Sequence, residues 1–430
     1  MKKFANSLLE YIYNSPTAFN AVNESKKLLE QNGFSELKFE DSWNLEEGKS
    51  YYITKNLSAI VAFKLNSKNI EQEGFRIIGS HSDSPSFRIK PNPEMDVEGK
   101  YLKLNTEGYG GPILSTWFDR PLALAGRVVL KSDDIFLPKE EIININKPVC
   151  IIPNIAIHMN RTVNEGYNFN KQKDLLPFVG VLNDTLEKEG FLINLIAKEL
   201  NVSVEEIIDF DIFLYEFEKG SLIGINEEFI SSARLDNLSM AHASLHGLIN
   251  STNDKGINIV SVFDNEEIGS STKQGADSNM LLNILERITI SLEKNREEFL
   301  RAVSKSFMIS ADLAHALHPN ITEKHDPVNR PILGNGPVIK INANQAYTSD
   351  AYSISIYKSI CEKANVKYQE FVNRSDERGG STIGPISSTH IDIPSVDVGS
   401  PILAMHSIRE LGSVSDHFEI YKTFLKFYEI

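Results

Sequence analysis

The chain reads as an α/β protein: a main domain with a central, mostly parallel sheet covered by helices on both faces, interrupted by an inserted β-rich domain. Three observations predict this. After residue 230, strand-like and helix-like segments alternate, the pattern of parallel strands joined by helical crossovers. Between about Lys90 and Phe229 that alternation stops, and Pro91, Pro93, Pro112, Pro121, Pro148, Pro153 and Pro177 punctuate short strand-like runs. At 430 residues the chain also exceeds what one hydrophobic core usually serves. The expected division is 1–90 with 230–430 as one discontinuous domain, and 91–229 as the insertion.

Each element follows from its local pattern. Phe4, Leu8, Leu9 and Ile12 have helical spacing, and Ser15-Pro16-Thr17 ends that helix. Ala18–Asn32 is a second amphipathic helix, stopped by Asn32-Gly33. Strands follow at Ser50–Ile53, Ser58–Leu65 and Phe75–Gly79. Inside the insertion, strands are expected at Tyr101–Asn105, Ala125–Leu130, Val149–Ala156 and Ile212–Phe217, with a helix over Asp184–Leu200. Trp117-Phe118-Asp119-Arg120 reads as packing plus a local ion pair. The later part alternates helix Leu238–Asn250, strand Ile259–Phe263, a long helix Met280–Ala302, and strand Ser306–Ala311. It continues with strand Gly336–Ile341, helix Asp350–Ala364, strand Tyr368–Asn373, a Gly-rich turn at Arg378–Pro385, strand Ser395–Gly399, and a closing helix over 413–428.

Composition narrows the job. Lys plus Arg number 44 and Asp plus Glu 58, so the net charge is −14. That argues against nucleic acid or an anionic membrane as partner. No run approaches the ~18 apolar residues of a membrane helix. The N-terminus lacks the apolar core of a signal peptide. Two cysteines far apart, Cys150 and Cys361, suit a reducing cytoplasm.

The chemistry concentrates at strand ends. Ile259–Phe263 is a β-branched, apolar strand that runs into Asp264-Asn265-Glu266-Glu267. Adjacent side chains diverge, and like charges repel unless a cation lies between them. A metal ion with one Glu as ligand and the other facing the attacking water answers both points; an acidic surface turn is the plain alternative. His81 follows strand Phe75–Gly79, with Asp83 two residues on and facing the same way. Asp83 is then placed to hold the second ring nitrogen of a metal-bound His81. Asp236 precedes helix Leu238–Asn250, where an acid ordinarily caps the helix. Asp312 follows strand Ser306–Ala311, and His406 follows strand Ser395–Gly399. His158, read alone, is a packed or surface histidine. In parallel sheets, ligands gather beyond the carboxyl ends of the strands. Two His and three carboxylates suit two zinc-like ions sharing one bridging carboxylate, and one acid is left to act as base.

Five blocks of this sequence resemble the M18 family of metallo-aminopeptidases, the aspartyl aminopeptidase family. They are Ser80-His81-Ser82-Asp83-Ser84-Pro85, Ala233-Arg234-Leu235-Asp236-Asn237, Asp264 to Ser270, Asp312 to Asn320, and Met405-His406-Ser407-Ile408-Arg409-Glu410. The resemblance implies a zinc-peptidase, phosphorylase/hydrolase-like α/β/α catalytic domain. It implies that His81 and Asp312 hold one zinc, that Glu267 and His406 hold the other, and that Asp236 bridges both. It implies Glu266 as general base and Asp83 as the residue orienting His81. His315, Lys340 and Tyr347 match substrate-contacting positions. His158 matches a histidine that reaches a neighbouring subunit's site, which reverses the plain reading of it. Mn or Co would suit the same ligands. The implied substrates are peptides with free N-termini, often with Asp or Glu first, and the implied assembly is a homo-oligomer, by family habit a dodecamer.

Two other readings compete. A carboxypeptidase or amide deacylase could use the same scaffold, and differs only in the substrate end it accepts. A non-catalytic, shell-forming scaffold is disfavoured by the presence of every expected ligand and of the base.

Overall fold

Strand Ile257–Phe263 is buried along its whole length, and its side chains divide between two cores. Val260 and Val262 pack into one, and Ile257, Ile259 and Phe263 into the other. Ile78 and Ile77 divide the same way in strand Phe75–His81, as do Ile309 and Met308 in Phe307–Ala311. Period-two side chains buried on both faces define a sheet between two helical layers. The structure, a computed structural model, describes residues 1–183, 186 and 189–430.

These residues pack as two compact units. The first comprises 1–83, 220–405 and 410–430. Its nine-stranded sheet is parallel through four central strands: Ile257–Phe263, Phe75–His81, Phe307–Ala311 and Ser395–Gly399. Toward the edges it is mixed. Ala59–Leu65 runs antiparallel to Ile257–Phe263, and Val338–Lys340 antiparallel to Ser395–Gly399. One helical layer contains Leu235–Asn250 and Val414–Tyr428, whose Leu245, Leu248, Ile420 and Phe424 are buried. The other contains Met280–Ser291 and Arg296–Ser304.

The second unit comprises 84–219 and 406–409. Its six strands are antiparallel, in the order Lys139–Cys150, Leu122–Leu130, Ile207–Glu216, Ser86–Val97, Tyr101–Tyr109, Phe178–Val181. Phe87, Leu104, Trp117, Leu124, Val128 and Ile212 fill its core. Segment 406–409 was expected with the main domain but belongs here. Ile113 N–H donates to the His406 carbonyl at 2.9 Å, and Arg409 joins Arg120 on the buried Glu216 carboxylate. Arg120 thus pairs far along the chain rather than with Asp119.

Several elements differ from expectation. The strand expected at Val149–Ala156 ends at Cys150; Ile151 pairs instead with Phe178, and Pro153, which has no N–H, carries no pairing further. Strand Ser86–Val97 was not foreseen through Pro91 and Pro93; the ladder breaks between Ile89 and Glu94, so neither proline owes a hydrogen bond. The helix expected over Met280–Ala302 is two helices. Asn295 and Glu298 exchange capping hydrogen bonds at 3.1 and 2.8 Å and start the second one. The helix expected over Asp184–Leu200 spans Phe191–Leu200, and Asp184, Thr185, Glu187 and Lys188 lie outside the described residues. A helix at Ile383–His390 follows the Gly-rich turn and was not foreseen.

Candidate metal centre

Parallel register brings the acids together. Phe263 pairs with His81, so the turn after one strand lies beside the last residue of the next. Asn265 adopts a left-handed conformation (φ 62°), reversing the chain into the short turn Glu266–Ile268. The Asp83 carboxylate accepts the backbone N–H groups of Glu266 and Glu267, each at 3.1 Å. The same carboxylate stands 3.3 Å from His81 Nδ1. Asp83 thus stands against both the paired glutamates and the histidine ring, whose Nδ1 also lies 3.1 Å from the Asp83 backbone carbonyl.

Asp236 is held at an irregular helix start. It sits inside the span Leu235–Asn250 with non-helical torsions (φ −81°, ψ 108°) after a left-handed Arg234. Its own N–H donates to the Glu410 carboxylate at 3.0 Å. Asn237 Nδ2 donates to the Ala311 carbonyl at 2.8 Å, tying the helix start to the strand end before Asp312. Tertiary partners thus hold the backbone at this position.

His81 Nε2 lies 3.6 Å from Asp236 Oδ1, 3.8 Å from Glu266 Oε2 and 3.8 Å from Asp312 Oδ1. His81, Asp236 and Asp312 form one group, and His81, Glu266 and Glu267 another, each with ligand atoms within 4.8 Å of one another. Imidazole with several carboxylate oxygens is a donor set that suits zinc, manganese or cobalt. Five carboxyl groups, of Asp83, Asp236, Asp312, Glu266 and Glu267, crowd about one histidine, a concentration of like charge that a cation would relieve.

The electrostatics reflect that crowding. Burial pushes the Glu266 carboxyl up to about 8; His81 opposes the shift, while Asp312, Asp236 and Asp83 add to it. Asp264 is pushed up to about 7 by burial and by the Asp83 charge. Burial works to lower the His81 pKa, but Asp236, Asp312 and Asp83 carry it well above its ordinary value.

The remaining expected residues fall in different places. The buried Lys340 ammonium donates to the Leu313 carbonyl at 3.0 Å, with Asp312 Oδ2 at 3.5 Å. The Tyr347 ring centre is 5.2 Å from that ammonium. His315 is solvent-exposed and lines a pocket of about 250 Å³ with His318, His325, Lys324 and Arg374. His406 lies in the second unit, in a left-handed conformation (φ 66°), with Nδ1 3.1 Å from the Gly111 carbonyl. His158 lies there too, on an exposed turn beside exposed Ile155, Ile157 and Met159. Glu410 and Asp264 had no role assigned from sequence, although both stand inside the quoted blocks.

The chain is similar to known proteins over nearly its whole length. The family described as Aminopeptidase I zinc metalloprotease (M18) matches residues 11–428. A Clostridium novyi (strain NT) protein named "Probable M18 family aminopeptidase 2" is 62% identical over 428 residues, spanning 100% of this chain and 99% of its own length. Among solved structures, a chain in the complex of Ape4 and Nbr1 matches with a TM-score of 0.95 at 36% identity, covering 99% of this chain and 85% of its own. The mApe1 dodecamer of S. cerevisiae matches at 0.85 and 26%, covering 99% and 96%.

Proposed function

The chain belongs to the M18 family of zinc metallo-aminopeptidases, and from that premise we propose a dinuclear enzyme that removes N-terminal residues, Asp and Glu by preference, from peptides with free N-termini. The observation that supports it is the convergence of Asp236, Asp312, Glu266 and Glu267 on His81. His81 and Asp312 would hold one ion, Glu267 and His406 the other, and Asp236 both. A bound pair of ions supplies a Lewis acid for the scissile carbonyl and acidifies the attacking water.

The protein's own groups do the rest. Glu266 takes the proton from the attacking water and returns it to the leaving amine. Asp83 keeps the His81 ring and the 266–267 turn in register. Lys340 presents a buried cation to an acidic side chain or to the tetrahedral oxyanion, with His315 and Tyr347 on the substrate. The mApe1 neighbour is a dodecamer. A homo-oligomer, dodecameric by the same likeness, would carry His158 to a neighbouring copy's site, and its exposed apolar turn suits such a contact. Among the described residues no helix is long and apolar enough to cross a membrane; a cytoplasmic enzyme is the proposed setting.

The test is a panel of peptides beginning with Asp, Glu, Ala or Leu, each beside its N-acetylated twin, assayed with and without a chelator. Cleavage of the free acidic peptides, lost on chelation and restored by Zn, Mn or Co, is expected. Equal turnover of the acetylated twins would instead mark a deacylase or carboxypeptidase, and activity that survives full metal removal would defeat the metal-centred reading.

A further inference from the structure

Asp397 is an acid inside an otherwise small or apolar buried strand, Ser395–Gly399, and is itself fully buried. Burying a carboxylate is costly unless donors surround it. Here four do. Ser310 Oγ and Thr382 Oγ1 donate to Oδ1 at 2.6 and 2.5 Å. Thr348 N–H and Thr348 Oγ1 donate to Oδ2 at 2.6 and 2.7 Å. The backbone N–H of Asp397 also donates to Ser349 Oγ at 3.0 Å.

These donors come from three segments. Ser310 lies two residues before Asp312. Thr382 precedes helix Ile383–His390 and makes no side-chain cap of its own; its hydroxyl goes to Asp397 instead. The packing there is close: a Cβ on Gly384 would stand 2.7 Å from Asp397 Oδ2. Thr348 follows Tyr347 on the irregular stretch 342–350, where Ser381 Oγ also donates to the Ala346 carbonyl at 3.3 Å. Tyr347 is nonetheless buried, packed with Ala314, Val338 and Phe371, its ring against the Lys340 ammonium.

We propose that Asp397 is a positioning residue for the peptidase reaction: its carboxylate holds Thr348 and thereby sets Tyr347 against Lys340 on the substrate side of the centre. The link acts on substrate binding, because Asp397 touches neither a proposed metal ligand nor the base. It rests on the reading above that Lys340 and Tyr347 contact substrate.

Thr348→Val removes one donor at nearly constant shape, and Thr348→Ser restores it. Asp397→Asn replaces an acceptor oxygen with a donor. Kinetics on an Asp-initiated peptide, with metal content and thermal midpoint measured on each variant, test the proposal. A hydrogen bond to a charged group is worth enough that Thr348→Val and Asp397→Asn should raise KM about tenfold while kcat stays within about threefold. Metal content should be full, and Thr348→Ser should match the parent within about twofold. An unchanged KM in Thr348→Val, or equal losses in Thr348→Val and Thr348→Ser, overturns the proposal, and this pair decides even where Asp397→Asn does not fold. Tyr347→Phe is measured alongside. If it raises KM while Thr348→Val does not, the positioning role fails and the substrate reading stands. If neither raises KM, the assignment of Tyr347 to substrate fails and the proposal with it.

Discussion

The Asp83 carboxylate accepts the Glu266 backbone N–H at 3.1 Å, across a gap of more than 180 residues in sequence. It also faces His81 Nδ1, so one group touches both the proposed metal ligand and the turn that carries the proposed base. Asp83→Asn keeps the size but turns one acceptor into a donor opposite an N–H. It should lower metal affinity or activity about 10- to 100-fold, as loss of a ligand-orienting partner does. Titration with a metal buffer and steady-state kinetics check this; parental values in both would show that Asp83 orients nothing of consequence.

Glu266 is assigned the proton transfer, while His81, Asp236 and Asp312 form a ligand group without it. Glu266→Gln should therefore retain metal and lose about 10²- to 10⁴-fold in kcat. Metal analysis alongside turnover separates a lost base from a lost ion. Full activity in this variant would remove Glu266 from the mechanism.

Two adjacent residues in helix Val414–Tyr428 predict opposing effects of pH on stability. His417 is buried with its Nε2 3.1 Å from His242 Nδ1, and burial, with help from His246, holds its pKa down to about 3. Asp416 is pushed up to about 7, chiefly by burial, although it accepts the N–H groups of Gly334 and Gly336. From pH about 6.5 down to about 3 the unfolded histidine binds a proton that the folded one refuses, so this contribution falls as pH drops. From about 4 up to about 7 the folded Asp416 keeps a proton that the unfolded one releases, so its contribution falls as pH rises. Each slope is at most about 1.4 kcal/mol per pH unit, and they offset each other between pH about 4 and 6.5. Asp416→Asn should steepen the loss of stability on acidification. Urea unfolding across that window reads it; a variant curve parallel to the parent's contradicts it.

In the second unit, Gly126 (φ 156°) pairs with Ile212 where a Cβ would lie 1.9 Å from the Asp211 carbonyl oxygen. Backbone cannot yield as a side-chain tip does. Gly126→Ala should destabilise by about 2–4 kcal/mol through overpacking. Thermal unfolding measures it, and an unshifted midpoint would mean that the sheet opens freely at this point.

The chain's own pattern determined the alternation of strand and helix, the two-sided burial of Ile257–Phe263, and the types of donor that stand at strand ends. Those properties depend on neighbours within a few residues, where side-chain period and polarity act directly. The tertiary structure decided the rest: that Asp236 gives its N–H to Glu410, that Asp83 spans two strand ends, that 406–409 belongs with the second unit, and that Ala59–Leu65 and Val338–Lys340 run antiparallel to the central strands they flank. Each of these turns on hydrogen bonds between segments far apart in the chain. Which distant segment meets which is set by pairing register and shared burial, and no local run of residues encodes that choice.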